Sequence, residues 1–228
     1  MPDDGSSPPG PSPTAEIARF TKWARRIRFV GKALCRTTHS PDTLPDTGDR
    51  PIVMVANHRS LADVFVAITA LDHFGLPARC LVRAKYFETP LVGRWLHTVG
   101  CIPAGDGKRG SVDIALETLA EGRPVAIMVE GKIIPPDRRD EQGLGEFRPG
   151  FIEIARAAGA VVLPISLLGT DDVWASRGRG PRIPWRGRPS VRVHIGMPIV
   201  IDDLSDDDII ERTRAAIAAA LVEMGDHG

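Results

Sequence analysis

The chain has 228 residues with 29 Lys+Arg against 29 Asp+Glu, and this zero balance argues against nucleic acid or any other partner recruited by overall charge. Hydrophobic residues make up 43%, enough to build the core of one sizeable α/β domain. The three cysteines, Cys35, Cys80 and Cys101, have no metal-ligand spacing; they exclude a disulfide framework and a zinc site and fit a reducing cytosol. No apolar run reaches the roughly eighteen residues of a membrane-crossing helix.

In chain order, residues 1–13 are rich in Pro, Gly, Ser and Asp, lack the apolar centre of a signal peptide, and read as a disordered tail. Residues 15–36 read as a helix. Phe20, Trp23, Ile27, Val30 and Leu34 recur at three- and four-residue spacing on one face, and Arg19, Lys22, Arg25, Arg26, Arg28, Lys32 and Arg36 fill most of the rest. Two accounts of this basic amphipathic helix stand side by side: it lies in a membrane interface, or its apolar face packs on the domain and its cations are solvated. The first gives the expected organisation of a tail over 1–13, a membrane-associating helix over 14–37 and an α/β domain over 38–224.

A turn-rich connector over 41–50 leads into alternating elements. Strands are expected at 52–56, 79–84, 100–103, 124–129, 161–166 and 190–195, and helices at 61–74, 86–98, 111–121, 149–158 and 206–224. Such alternation predicts one domain with a mixed, mainly parallel sheet flanked by helices. Ser205 is the expected N-cap of the last helix, ahead of Asp206, Asp207 and Asp208.

The stretch Asn57-His58-Arg59-Ser60-Leu61-Ala62-Asp63 falls between the first of these strands and its helix. An imidazole can accept a proton near neutral pH, and a nearby carboxylate can hold its tautomer and support the imidazolium, which is the equipment for activating a hydroxyl. A plain structural account uses the same residues, with Ser60 as N-cap and Asp63 in the first helical turn. Glu130-Gly131 closes another apolar strand, so His58 and Glu130 both fall just past strand ends, where open α/β sheets place their sites. The glycine-rich run 104–110 carries Lys108 and Arg109, two candidate phosphate ligands; its alternative is a solvated turn. Between 171 and 189, Trp174 and Trp185 interleave with arginines, which suits a membrane-facing rim better than RNA.

Asn57-His58 with Asp63, then Gly100 with Ile102-Pro103, then Glu130-Gly131, then Leu163-Pro164-Ile165 resemble, in order and spacing, the motifs of the glycerolipid acyltransferase family, typified by bacterial 1-acylglycerol-3-phosphate acyltransferase. Ala84-Lys85, Pro90-Leu91-Val92-Gly93 and Phe147-Arg148-Pro149-Gly150 extend the likeness to roughly residues 20–222. The chain departs from the family at Asp106, where the second motif has Arg, and at Lys132-Ile133, where Thr-Arg follows Glu-Gly. The family's arginines are associated with the acceptor phosphate, so two bidentate clamps are missing.

The resemblance implies that His58 is the general base and Asp63 its support. It implies that Asn57, Glu130 and the Gly131 backbone position substrate or the developing oxyanion. Lys85, Lys108, Arg109 and Lys132 are the candidate replacements for the lost arginines. The implied reaction moves a fatty acyl group from acyl-CoA or acyl-carrier-protein, as co-substrate, to a lysophospholipid hydroxyl, with no metal, no other cofactor and no acyl-enzyme. The implied setting is the cytoplasm, peripheral on the inner membrane face. An acceptor without phosphate (an amino lipid or a specialised metabolite), a non-catalytic lipid-surface protein and a thioester hydrolase are the alternatives.

Overall fold

The computed structural model of the protein describes residues 12–105, 110–177, 180–185 and 187–225. Its elements follow as helix α1 (Pro13–Leu34), strands β1 (Arg36–Ser40) and β2 (Ile52–Ala56), helix α2 (Ala62–His73), strand β3 (Arg79–Arg83), helix α3 (Pro90–Thr98), strand β4 (Ile102–Ala104), helix α4 (Gly110–Ala120), strand β5 (Val125–Met128), helix α5 (Gly150–Ala157), strand β6 (Val161–Leu168), helix α6 (Thr170–Val173), strand β7 (Ser190–Ile195) and helix α7 (Asp206–Glu223). The strands form one seven-stranded sheet in the order β1-β7-β6-β2-β5-β3-β4. All neighbours are parallel except β6 and β7, so the expected mixed, mainly parallel sheet flanked by helices is what forms.

β2 explains the layering. Successive side chains of a strand point to opposite faces. Val53 and Val55 join the core beneath α4, α5 and α7, with Phe151, Ile154, Ile209 and Leu221, whereas Met54 joins the core beneath α1, α2 and α3, with Phe20, Ile68, Leu71 and Leu96. A strand covered on both faces reads as a continuous apolar run, as Ile52-Val53-Met54-Val55-Ala56 does. β2 lies between β6 and β5, with Ala56 in register with Met128, so the carboxyl tips of β2 and β5 adjoin. That adjacency brings His58 and Glu130 together.

Three expectations change. The first helix ends at Leu34 rather than at residue 36, and Arg36–Ser40 forms an edge strand that the sequence did not announce. Its residues, Arg-Thr-Thr-His-Ser, have no apolar alternation, and its sole partner is β7, far along the chain. The apolar stripe of α1 is not free for a membrane along its length: Phe20 and Ala24 are buried against the domain, Trp23 and Ile27 are half-buried, and Glu16 pairs with the buried Arg123 at 2.8 Å. What α1 leaves in solvent is its far end, with Phe29 80% exposed beside Val30. Ser60 is not the N-cap residue of α2, a place taken by Leu61, although its hydroxyl accepts from the Ala62 amide at 2.8 Å. Ser205 caps α7 as expected, in a reciprocal capping box with Asp208.

Candidate active site

His58 sits in the turn between β2 and α2, and Asp63 in the first turn of α2. His58 Nδ1 lies 2.8 Å from Asp63 Oδ2. The same carboxylate oxygen accepts the backbone amides of Arg59 at 2.6 Å and Ser60 at 2.8 Å. Three N–H groups thus converge on one oxygen of a fully buried side chain, which fixes the carboxylate and through it the ring. With Nδ1 committed, the Nε2 of His58 is the atom left for a proton, and it has no partner among the described residues. The helix-turn account of Asp63 is met by this geometry, which also pairs it with His58.

Glu130 is placed otherwise than expected. Its side chain is 2% exposed. One oxygen accepts the His58 backbone amide at 2.6 Å and the other accepts the Gly145 amide at 2.6 Å. Both oxygens accept backbone amides, so Glu130 holds the histidine's main chain. Burial pushes its carboxyl above the ordinary range, against the opposing pull of these two amides. The His58 carbonyl is held as well, by the Ile134 amide at 2.9 Å.

Asn57 is corrected in the same sense. Its side chain is buried, its amide group donates to the Leu167 carbonyl at 3.0 Å, and its carbonyl accepts the Leu167 amide at 2.8 Å. It imitates a strand partner for β6. Gly131 does not supply an oxyanion donor: its N–H goes to the Met128 carbonyl at 2.9 Å, and its own carbonyl accepts from Arg83 Nε at 2.6 Å. Its φ of 63° marks a turn that a side chain would strain.

The cations divide. Lys108 and Arg109, with Asp106, lie outside the described residues. Lys85 is exposed, with Nζ 5.1 Å from the centroid of the Tyr86 ring, and Lys132 is exposed beside Gly131. The structure adds Arg83 and Arg148, which the sequence did not single out as charges. Arg83 ends β3, and the register of Arg79 with Val125 and Cys80 with Ala126 carries it to the level of the β5 tip. Its Nη atoms have no partner among the described residues. Arg148 lies against Gly131: a Cβ built there would be 3.7 Å from its Cγ. Arg83, Lys132 and Arg148 therefore surround the turn that follows Glu130. Only strand register, absent from local sequence, could have revealed Arg83.

A groove of about 690 Å³ runs between α1, β1, α2, α3 and α6. Ala62, the neighbour of Asp63, forms part of its wall, so it adjoins the His58–Asp63 turn. Three of the chain's four tryptophans, Trp23, Trp95 and Trp174, line it with Phe65 and Val66, and Arg26, Arg28 and Lys32 lie along it. The fourth, Trp185, is 87% exposed, four residues beyond the groove residue Pro181. Arg188 ties this segment to α1 through the Lys32 carbonyl. Among the described residues, no helix is long and apolar enough to cross a membrane.

A histidine–carboxylate pair with one free imidazole nitrogen, carried past a central strand tip of an α/β sheet, is an arrangement able to accept a proton from a hydroxyl. Residues 35–168 match the family model described as Acyltransferase, over more than half of the chain, and the protein is a member of that family. It is 28% identical over 177 residues to a 1-acyl-sn-glycerol-3-phosphate acyltransferase of Chlamydomonas reinhardtii, covering 76% of this chain and 49% of that one. It is 28% identical to a chloroplastic enzyme of the same name from Arabidopsis thaliana, covering 69% and 42%. The chain thus spans about half the length of the curated relatives it matches. The crystal structure of the 1-acyl-sn-glycerophosphate acyltransferase from Thermotoga maritima shares its fold, with TM-score 0.66 at 19% identity over 91% of this chain and 79% of that one.

Proposed function

We propose that the protein is an O-acyltransferase that moves a fatty acyl group from a thioester, of coenzyme A or acyl carrier protein, to the free hydroxyl of 1-acylglycerol-3-phosphate, giving phosphatidic acid. The observation that carries this reading is the His58–Asp63 pair with its free Nε2. Nε2 takes the proton of the acceptor hydroxyl, the oxygen attacks the thioester carbonyl, and Asp63 supports the imidazolium. Collapse of the tetrahedral intermediate expels the thiolate, which recovers the proton from His58. Every bond made and broken belongs to the two substrates, and the base is regenerated.

The acceptor's phosphate is matched to Arg83, Lys132 and Arg148 around the β5 tip, in place of the arginines that the family motifs carry. The test is a panel of acceptors offered to the purified protein with one acyl thioester. Lysophosphatidic acid is the expected preferred acceptor, and Arg83→Ala is expected to raise its KM by about tenfold, the loss of one charge-assisted contact of ~1.4 kcal/mol. A preference for an amino lipid or another acceptor without phosphate would overturn the substrate and leave the base in place.

The protein works from an anionic bilayer surface on the cytoplasmic side, by this reading. Its support is the exposed apolar group of Phe29, Leu91, Ile183 and Trp185 together with the cations of α1. Each cation near an anionic leaflet contributes about 1 kcal/mol. Sedimentation is expected with phosphatidylglycerol vesicles, to be weakened by salt, and to fall sharply in a Phe29→Ser, Trp185→Ser double variant. Equal binding to phosphatidylcholine vesicles would contradict an electrostatic contribution.

A further inference from the structure

The support of the catalytic turn does not end at Glu130. The Gly145 amide that Glu130 accepts belongs to a compact turn built on Asp140, whose Oδ1 accepts the amides of Gln142 at 3.0 Å and Leu144 at 3.1 Å. That turn is fastened to α7 by one side chain. Arg214 donates to the Gly145 carbonyl at 2.7 Å and to Gln142 Oε1 at 3.1 Å, pairs with Asp140 Oδ2, and lies over the Phe147 ring, 5.1 Å from its centroid. Gly145 is therefore gripped on both sides, its N–H by Glu130 and its C=O by Arg214. Its surroundings leave no room for a side chain: a Cβ there would stand 2.6 Å from Ile134 Cγ1.

We propose that Arg214 is a positioning residue for the His58 base, acting from α7 through the Gly145 peptide and the Glu130 carboxylate. The route is a file of hydrogen bonds, Arg214 to Gly145, Gly145 to Glu130 and His58 to Glu130, beside a second tie in which the Arg59 side chain donates to the Gly143 carbonyl at 3.2 Å. The catalytic part of this inference rests on the acyl-transfer reading; the mechanical part does not. Without Arg214 the Asp140 turn is free to drift from the strand tips, and Glu130 loses one of the two donors that oppose the effect of its burial. The ionisable groups facing Glu130 are His58 and Asp63. Arg59, whose amide is held by Asp63, reaches the same turn at Gly143, so a displaced turn acts on the His58 turn at Glu130 and at Arg59.

The test uses the full chain with Arg214→Met, which keeps an apolar stem over Phe147, and Arg214→Lys as a milder variant with one cation retained. Arg214→Met is expected to lower kcat by about tenfold with both KM values within about twofold, the pattern of lost transition-state geometry. Arg214→Lys is expected to fall between Arg214→Met and the wild type. Deuterium uptake, which needs no substrate, is expected to rise in the peptide covering 56–63 as well as in that covering 140–147. Uptake confined to 140–147, or an unchanged kcat in Arg214→Met, would overturn the proposal and leave Arg214 a loop anchor. Absence of acyl transfer by the wild type would overturn the acyl-transfer reading instead, with uptake over 56–63 still deciding whether Arg214 holds the turn.

Discussion

His58→Ala is expected to slow acyl transfer by about 10²–10⁴-fold, the range that a positioned general base supplies, equivalent to ~3–5 kcal/mol of transition-state stabilisation. The loss should fall on kcat, since the ring is hydrogen-bonded to Asp63 and, in the proposed mechanism, its free nitrogen takes the proton of the reacting hydroxyl. The variant should fold. The turn is held by the His58 backbone, through Glu130 and Ile134, and Asp63 keeps the Arg59 and Ser60 amides when the ring is gone. Asp63→Asn is expected to cost as much, because a side-chain amide facing Nδ1 favours the wrong tautomer. The double variant should be little worse than either single one, as befits residues that act as a unit. Product formation by the purified proteins, with thermal midpoints beside it, measures both effects, and near-normal turnover in His58→Ala would falsify the assignment of the base.

What could be read from the residues alone follows from where each signal resides. β2 and β6 are buried on both faces and β5 is buried or half-buried throughout, so their sequences are short apolar runs that announce themselves. β1 is an edge strand of Arg-Thr-Thr-His-Ser whose existence depends on β7, and nothing within five residues encodes a partner more than 150 positions away. α1 shows its stripe plainly, but a stripe does not say what covers it. Phe20 and Ala24 found α2 and α3, and only the far end of the helix, at Phe29 and Val30, was left for another surface.

The site divides in the same way. His58 and Asp63 are five residues apart across one strand-to-helix turn, so their meeting is a local event that spacing can foretell. The tasks of Asn57 and Glu130 are not local. Asn57 faces Leu167, 110 positions on, and Glu130 faces a histidine 72 positions back and a glycine 15 ahead. Polar residues beside a predicted base invite a substrate role, yet here buried backbone amides claimed them first, because such amides must be paired. Arg83 was passed over for the converse reason. In sequence it is one more basic residue at a strand end, and only parallel register sets it beside the Glu130 turn.

Glu130→Gln is expected to lower kcat by about 10²-fold and stability by ~1–3 kcal/mol, the cost of leaving one buried donor facing another. A side-chain amide can still accept from one of the His58 and Gly145 N–H groups, but its NH₂ must then face the other, in a pocket that is closed to water. The pH dependence separates this carboxylate from a passive strut. Burial raises the Glu130 pKa in the folded protein, the two amides only partly opposing it, so the native state holds this proton more tightly than the unfolded chain does. Protonation therefore favours folding: the contribution of Glu130 to stability is greatest below the unfolded carboxyl value of about 4.3 and is lost as pH rises through the folded value. Activity runs the other way. A proton on either oxygen displaces one amide and loosens His58, so turnover should fall as pH drops through the same interval. Subtracting Glu130→Gln from the wild type, in urea melts and in pH–rate profiles, should expose two opposite slopes over one pH window. Parallel slopes would show that Glu130 does not hold the base through its charge.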